Sequence, residues 1–209
     1  MKSIILVSAV AICLLLGSCS GNKTVNTNTS GPGAPQCTPP VTKVLNTPLK
    51  AQETDQWCWA ASGQMIMAFH NHDVSQCLQA NNYFHRPDCC LDDKPAQCIQ
   101  GGWPEFDKYN FDFDRLSDAN LDWDKLRDQI GCKSAPVAFS WHWIPQGGGH
   151  MMVVRGYTTA PDGSRTLYIN NPWPPRPDGA GEQRMISYQD YVAGSNHTHW
   201  DDFYNIRNR

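Results

Sequence analysis

Gln52 and Cys58 lie six residues apart in Gln52-Glu53-Thr54-Asp55-Gln56-Trp57-Cys58-Trp59, with Ala60-Ala61-Ser62 following. A cysteine attacks as a thiolate, and the oxyanion created by its attack on a carbonyl needs hydrogen-bond donors. A helix beginning at Cys58 would supply partial positive charge and unpaired N–H groups, both of which favour the thiolate. The Gln52 amide and the Cys58 backbone N–H could then hold the oxyanion. A base and a group that orients it complete such a site. His150 follows Gly147-Gly148-Gly149 and opens Met151-Met152-Val153-Val154-Arg155-Gly156-Tyr157, and further on comes Tyr168-Ile169-Asn170-Asn171-Pro172-Trp173. An asparagine beside an imidazole fixes its ring orientation and tautomer. Alone, a cysteine between tryptophans is an ordinary buried residue, and Asn-Asn-Pro is an ordinary strand-ending turn. Together, in this order, they point to nucleophilic attack on an acyl group.

The elements that must position these groups are legible in outline. Cys58 to about His70 has no proline and is rich in alanine, methionine and glutamine, which predicts a helix. Ala61, Met65, Ala68 and Phe69 are its apolar contacts. Residues 75–103 read as irregular and cysteine-rich. A second helix is expected over Ala119–Ile130, ended by Gly131. Strands are expected at Pro136–Trp141, His150–Tyr157, Thr166–Asn170, Arg184–Tyr188 and Trp200–Ile206, with a helical turn from Ser187. Pro161-Asp162-Gly163-Ser164 suits a hairpin joining the second and third of these strands, and that hairpin brings Asn171 back to the start of the His150 strand. Helices first and antiparallel strands after them argue an α+β fold.

The N-terminus reads as a targeting segment. Lys2 precedes the apolar run Ile4–Leu16, too short to span a bilayer as a helix. Leu16-Gly17-Ser18-Cys19 resembles a bacterial lipobox, which implies a lipoprotein signal peptide over 1–18 and lipidation of Cys19. Ser20, rather than an aspartate, favours the outer membrane or cell surface. Residues 19–36 hold almost nothing apolar and read as a flexible tether, leaving 37–209 as one domain. The net charge of −3 and the lack of a basic tract give no sign of a nucleic-acid partner. Of nine cysteines, Cys13 lies in the signal, Cys19 is the lipidation site and Cys58 the candidate nucleophile. Cys37, Cys77, Cys89, Cys90, Cys98 and Cys132 form an even set suited to disulfides in an exported protein. Their pairing stays open. Zinc is the competing use of Cys77, Cys89, Cys90 and Cys98, but their spacing lacks paired C-x-x-C knuckles.

Gln, then Cys-Trp, then Gly-His on a strand, then Asn-x-Trp resembles the papain-like cysteine proteases. The resemblance implies Cys58 as nucleophile, His150 as general base, Asn171 as orienter with Asn170 the alternative, and Gln52 as oxyanion donor. It implies that Trp173 shields the Asn–His bond and that Gly149 lines the substrate path. Cys98-Ile99-Gln100-Gly101-Gly102-Trp103-Pro104 is similar to the family's Cys-Asn-Gly-Gly-Tyr-Pro segment, which implies that Gly101 and Gly102 bind substrate backbone. The implied fold is a helical subdomain carrying the nucleophile helix, followed by an antiparallel β-barrel-like half. An ion pair between Cys58 and His150 is expected at neutral pH.

Two departures narrow the likeness. Papain has a cysteine where this chain has Asp55, and His150 lies only 92 residues after Cys58, against about 130–150 in papain and cathepsins. The chain is more similar to compact bacterial relatives. Gln-x5-Cys-Trp-Ala-Ala resembles the family typified by a plant-pathogen avirulence protease, and Asn-Asn-Pro resembles the Asn-Asp-Pro of bacteriocin-leader peptidases. The expected activity is a monomeric, membrane-tethered endopeptidase acting on polypeptides without metal or cofactor. Acyl transfer or amidase action by the same Cys–His machinery, and a non-catalytic surface binding module, are the alternatives. His142 is a rival base, read as structural, and His197 and His199 are read as surface residues.

Overall fold

Good helix formers and the absence of proline make Cys58–Phe69 a helix, α1. The computed structural model, which describes residues 37–175 and 179–209, encloses α1 on nearly every side. Trp59, Ala60, Ala61, Met65, Ile66 and Met67 are buried, whereas Ala68 and Phe69 are only half-buried. A helix apolar around its circumference belongs in an interior. The expected signal peptide, lipidation site and tether lie outside the described residues.

The stretch read as irregular contains a second helix, Gln76–Tyr83 (α2), capped by the Ser75 hydroxyl, which accepts the Leu78 N–H. Its polar sequence gives little periodicity. What seats it is the buried Gln79 amide, which donates to the Ala60 and Val74 carbonyls at 2.9 and 3.0 Å. The helix expected over 119–130 is shorter. Asp122 accepts the Lys125 N–H at 2.8 Å and starts a helix at Trp123–Arg127 (α3), which continues over Asp128–Cys132 as a wider π-type turn. Leu121 is left outside because its N–H bonds the Asp202 carboxylate.

Seven antiparallel strands form one sheet. They are β1 (Thr42–Val44), β2 (Phe111–Ser117), β3 (Val137–Trp143), β4 (Gly149–Thr159), β5 (Arg165–Asn171), β6 (Glu182–Ser187) and β7 (His197–Asn208). Their order is β2-β7-β3-β4-β5-β6, with β1 on β4. The β4–β5 hairpin turns at Gly163, whose φ of 85° suits glycine. A short helix, Tyr188–Val192 (α4), starts from Ser187, which caps it.

The β half is an open sheet, not the barrel-like half expected, and among the described residues its edges β2 and β6 do not pair. The reason lies in the strand sequences. Val137, Phe139 and Trp141 of β3 and Met152 and Val154 of β4 face a core completed by Leu121, Trp123, Leu126 and Tyr191. Ala138, Met151 and Val153 face the opposite way, onto a core built around α1. Successive side chains of a strand point to opposite faces, so Met151-Met152-Val153-Val154 needs cover on both. A sheet covered on both faces has no interior of its own to close around.

Three disulfides consume the six candidates: Cys37–Cys132, Cys77–Cys90 and Cys89–Cys98. The cysteines of the zinc reading are thereby used up, and Cys58 is the free cysteine among the described residues.

Candidate active site

Helix α1 begins without a side-chain cap at Trp57 and has no acidic residue in its first turn. Its leading N–H groups are therefore free to meet an anion. The Cys58 sulfur lies against the backbone N–H groups of Met151, Trp59 and Cys58 itself. Met151 can serve because β5 pairs with β4 only from Val153 onward.

The tryptophans on either side of Cys58 bind a second segment to the helix. Trp57 donates its indole N–H to the Cys98 carbonyl at 2.7 Å, and Trp59 donates to the Gln100 carbonyl at 3.1 Å. Both bonds, with the Cys89–Cys98 disulfide, hold Gly101 and Gly102 along the cleft wall. A Cβ on Gly102 would come within 2.9 Å of the Trp59 ring and 3.1 Å of Tyr83, whereas Gly101 faces open space. Gly102 thus lets Trp59 pack, and Gly101 is the open position.

Opposite stands the sheet wall. The His150 Nε2 and Asn171 Oδ1 lie 2.6 Å apart, which leaves His150 Nδ1 without a partner among the described residues. The cleft, about 760 Å³, is lined by Cys58, His150, Asn171, Gly101, Gly102 and Trp173, and by Gly149, Tyr83, Arg184 and Trp200 among others. Adjacent asparagines on a strand face opposite ways, which separates the two candidates. Asn170 is fully buried and donates to the Thr47 and Pro48 carbonyls, so Asn171 alone meets the imidazole. Trp173 is 47% exposed, and its backbone N–H donates to Asn171 Oδ1 at 3.1 Å.

Several placements differ from expectation. The Gln52 amide is fully buried and does not line the cleft; its Nε2 donates to the Thr54 carbonyl at 2.7 Å. Its backbone N–H donates to the Pro172 carbonyl at 3.0 Å, which keeps it beside the site. The space beside Gly149 is filled by the Trp141 carbonyl and the Trp200 ring, so Gly149 serves packing as well as access. Cys58 and His150 share the cleft, yet no hydrogen bond joins them among the described residues. Burial pushes the Cys58 thiol up, against the pull of three backbone N–H groups. Burial also pushes the His150 imidazole down, opposed by the Asn171 bond and reinforced by the Arg184 charge. Burial thus works against the expected ion pair, because it disfavours both the thiolate and the imidazolium. His197 and His199 are not surface residues. His197 bonds the Asp190 carbonyl at 2.8 Å, and His199 bonds the Tyr191 carbonyl at 2.9 Å, because β7 runs inside the sheet. His142 packs against Trp200, ring centroids 5.0 Å apart, and does not line the cleft.

Sequence reasoning missed Glu182, which accepts the Asn171 Nδ2–H at 2.9 Å, and Arg184 in the cleft wall. In Glu182-Gln183-Arg184 nothing marks a site, since polar residues on an edge strand are the rule.

A helix that starts at a free cysteine and packs on an antiparallel sheet bearing a His–Asn pair is consistent with a cysteine peptidase of papain type. The chain belongs to the Peptidase_C39 like family, whose model matches residues 44–199. That membership carries the peptidase class and not the narrower avirulence-protease branch. No curated protein matches the chain.

Proposed function

We propose that the protein is an endopeptidase that cleaves polypeptides through Cys58, His150 and Asn171. The observation that carries this reading is the 2.6 Å His150 Nε2–Asn171 Oδ1 bond in the cleft shared with the free Cys58. That bond places the proton on Nε2 and leaves the Nδ1 lone pair for the thiol. Substrate approach draws the Cys58 proton to Nδ1 while sulfur bonds to the carbonyl carbon and the carbonyl electrons move to oxygen. The Cys58 backbone N–H stabilises that oxyanion, and Gln52 joins it as second donor once its buried amide turns from the Thr54 carbonyl toward the cleft. Collapse breaks the C–N bond, and His150 passes its proton to the departing amine. Water then adds to the thioester, giving its proton to His150, and the acid leaves as the Cys58 thiol is restored.

The proposed setting is an exported lipoprotein anchored through Cys19. Three disulfides support it, since such bonds persist in oxidising compartments. The test pairs Cys58→Ala with alkylation by iodoacetamide. Both should abolish cleavage of an unfolded protein while the circular dichroism spectrum is unchanged, and mass mapping should place the label on Cys58. Full activity in the alanine variant would defeat the proposal.

A further inference from the structure

We propose that Glu182 is a positioning residue that fixes the Asn171 amide and, through it, the proton position on His150. This deepens the peptidase reading and rests on it. An asparagine amide can present either end to a neighbour; its oxygen only accepts and its nitrogen only donates. An amide turned the wrong way would offer N–H to His150 Nε2, move the ring proton to Nδ1, and leave no lone pair for the Cys58 thiol. Two contacts prevent this. The Trp173 backbone N–H donates to Asn171 Oδ1 at 3.1 Å, and the Glu182 carboxylate, an acceptor only, takes the Asn171 Nδ2–H at 2.9 Å. Asn171 and Glu182 are directly opposed in the β5–β6 ladder, so the strand register itself sets the pair. The same Glu182 oxygen accepts from Arg184 Nη1 at 3.4 Å, a bond within β6 that steadies the carboxylate.

The role depends on accepting a hydrogen bond, so three substitutions separate it from a structural one. Glu182→Gln can still present an oxygen to Asn171 and should keep kcat within about twofold of the parent protein. Glu182→Leu removes the acceptor and should lower kcat roughly tenfold, the low end for partners that orient a functional side chain, with KM unchanged. Glu182→Lys replaces acceptor by donor and should cost more than the leucine. Imidazole nitrogen NMR of the resting protein reads the tautomer directly. It should show His150 protonated at Nε2 in the parent and glutamine proteins, mixed in the leucine variant, and shifted toward Nδ1–H in the lysine variant. The NMR experiment needs no substrate, so it tests Glu182 even if the polypeptide-cleavage reading fails. An unchanged tautomer in the leucine and lysine variants would overturn the proposal. Equal losses for glutamine and leucine would also overturn it.

Discussion

The cleft has two walls made in different ways. The helical wall, carrying Cys58, Gly101 and Gly102, is tied by the Cys89–Cys98 and Cys77–Cys90 bridges and by the Trp57 and Trp59 indole bonds. The sheet wall, carrying His150 and Asn171, is tied by the β3–β4–β5–β6 ladder and a chain of side-chain bonds through Glu182. Cross-links and indoles hold a segment with little secondary structure, where no ladder is available. A ladder fixes strands but not the last torsions of an imidazole or amide, so the sheet wall needs side-chain partners. The Cys58 wall is thus secured in its backbone, and the His150 wall in its side chains.

Gln52 bonds Thr54 ahead of α1 and Pro172 after β5, and breaking it gives the largest expected effect among the remaining tests. Gln52→Ala should lower kcat by about 100-fold, the usual cost of losing one oxyanion donor. A loss of melting temperature with kcat intact would show that the amide only closes its turn on Thr54. Opening the Cys89–Cys98 bridge by the double change to serine should remove about 2–3 kcal/mol of stability. In the folded fraction it should raise KM, while the His150 tautomer by NMR stays as it was. A changed tautomer would show that the walls are not independently held.

Trp59→Phe keeps a smaller aromatic ring and deletes the bond to the Gln100 carbonyl. Chemical denaturation should record a loss of about 1 kcal/mol, and KM should rise a few-fold with kcat held. The smallest effect is the pH profile. In the proposed mechanism neutral imidazole is the base, and burial with the Arg184 charge depresses His150. Activity should therefore persist as pH falls past the ordinary histidine range, about 6.5, before the imidazole protonates. Arg184→Gln, which removes the depressing charge, should move that limb toward higher pH.

Legibility in the sequence followed the same division. Helix α1 and strands β3 to β7 were readable, most of them from their apolar residues. The strands β1 and β2 were not: β1 has three residues, and charges interrupt Phe111-Asp112-Phe113-Asp114-Arg115. Cys58, His150 and Asn171 could be named because their residue types are few and their order is restrictive. The contribution of Glu182 depends on register across a loop, which no local pattern encodes. The barrel-like expectation came with the family resemblance. The two-sided burial of Met151-Met152-Val153-Val154 argued for an open, covered sheet, and that apolar run was already in view. Spacing likewise says nothing of the desolvation that acts against the ion pair.

The Cys37–Cys132 bridge has a mechanical consequence. It joins Cys37, ahead of β1, to the turn following α3. A pull along the chain from before Cys37 is divided there, part passing directly into Cys132 and the core beneath it. The short strand β1, which lies next in sequence and holds β4 by only three residue pairs, is spared the full load. The bridge therefore takes load off β1 and the strand β4 that carries His150.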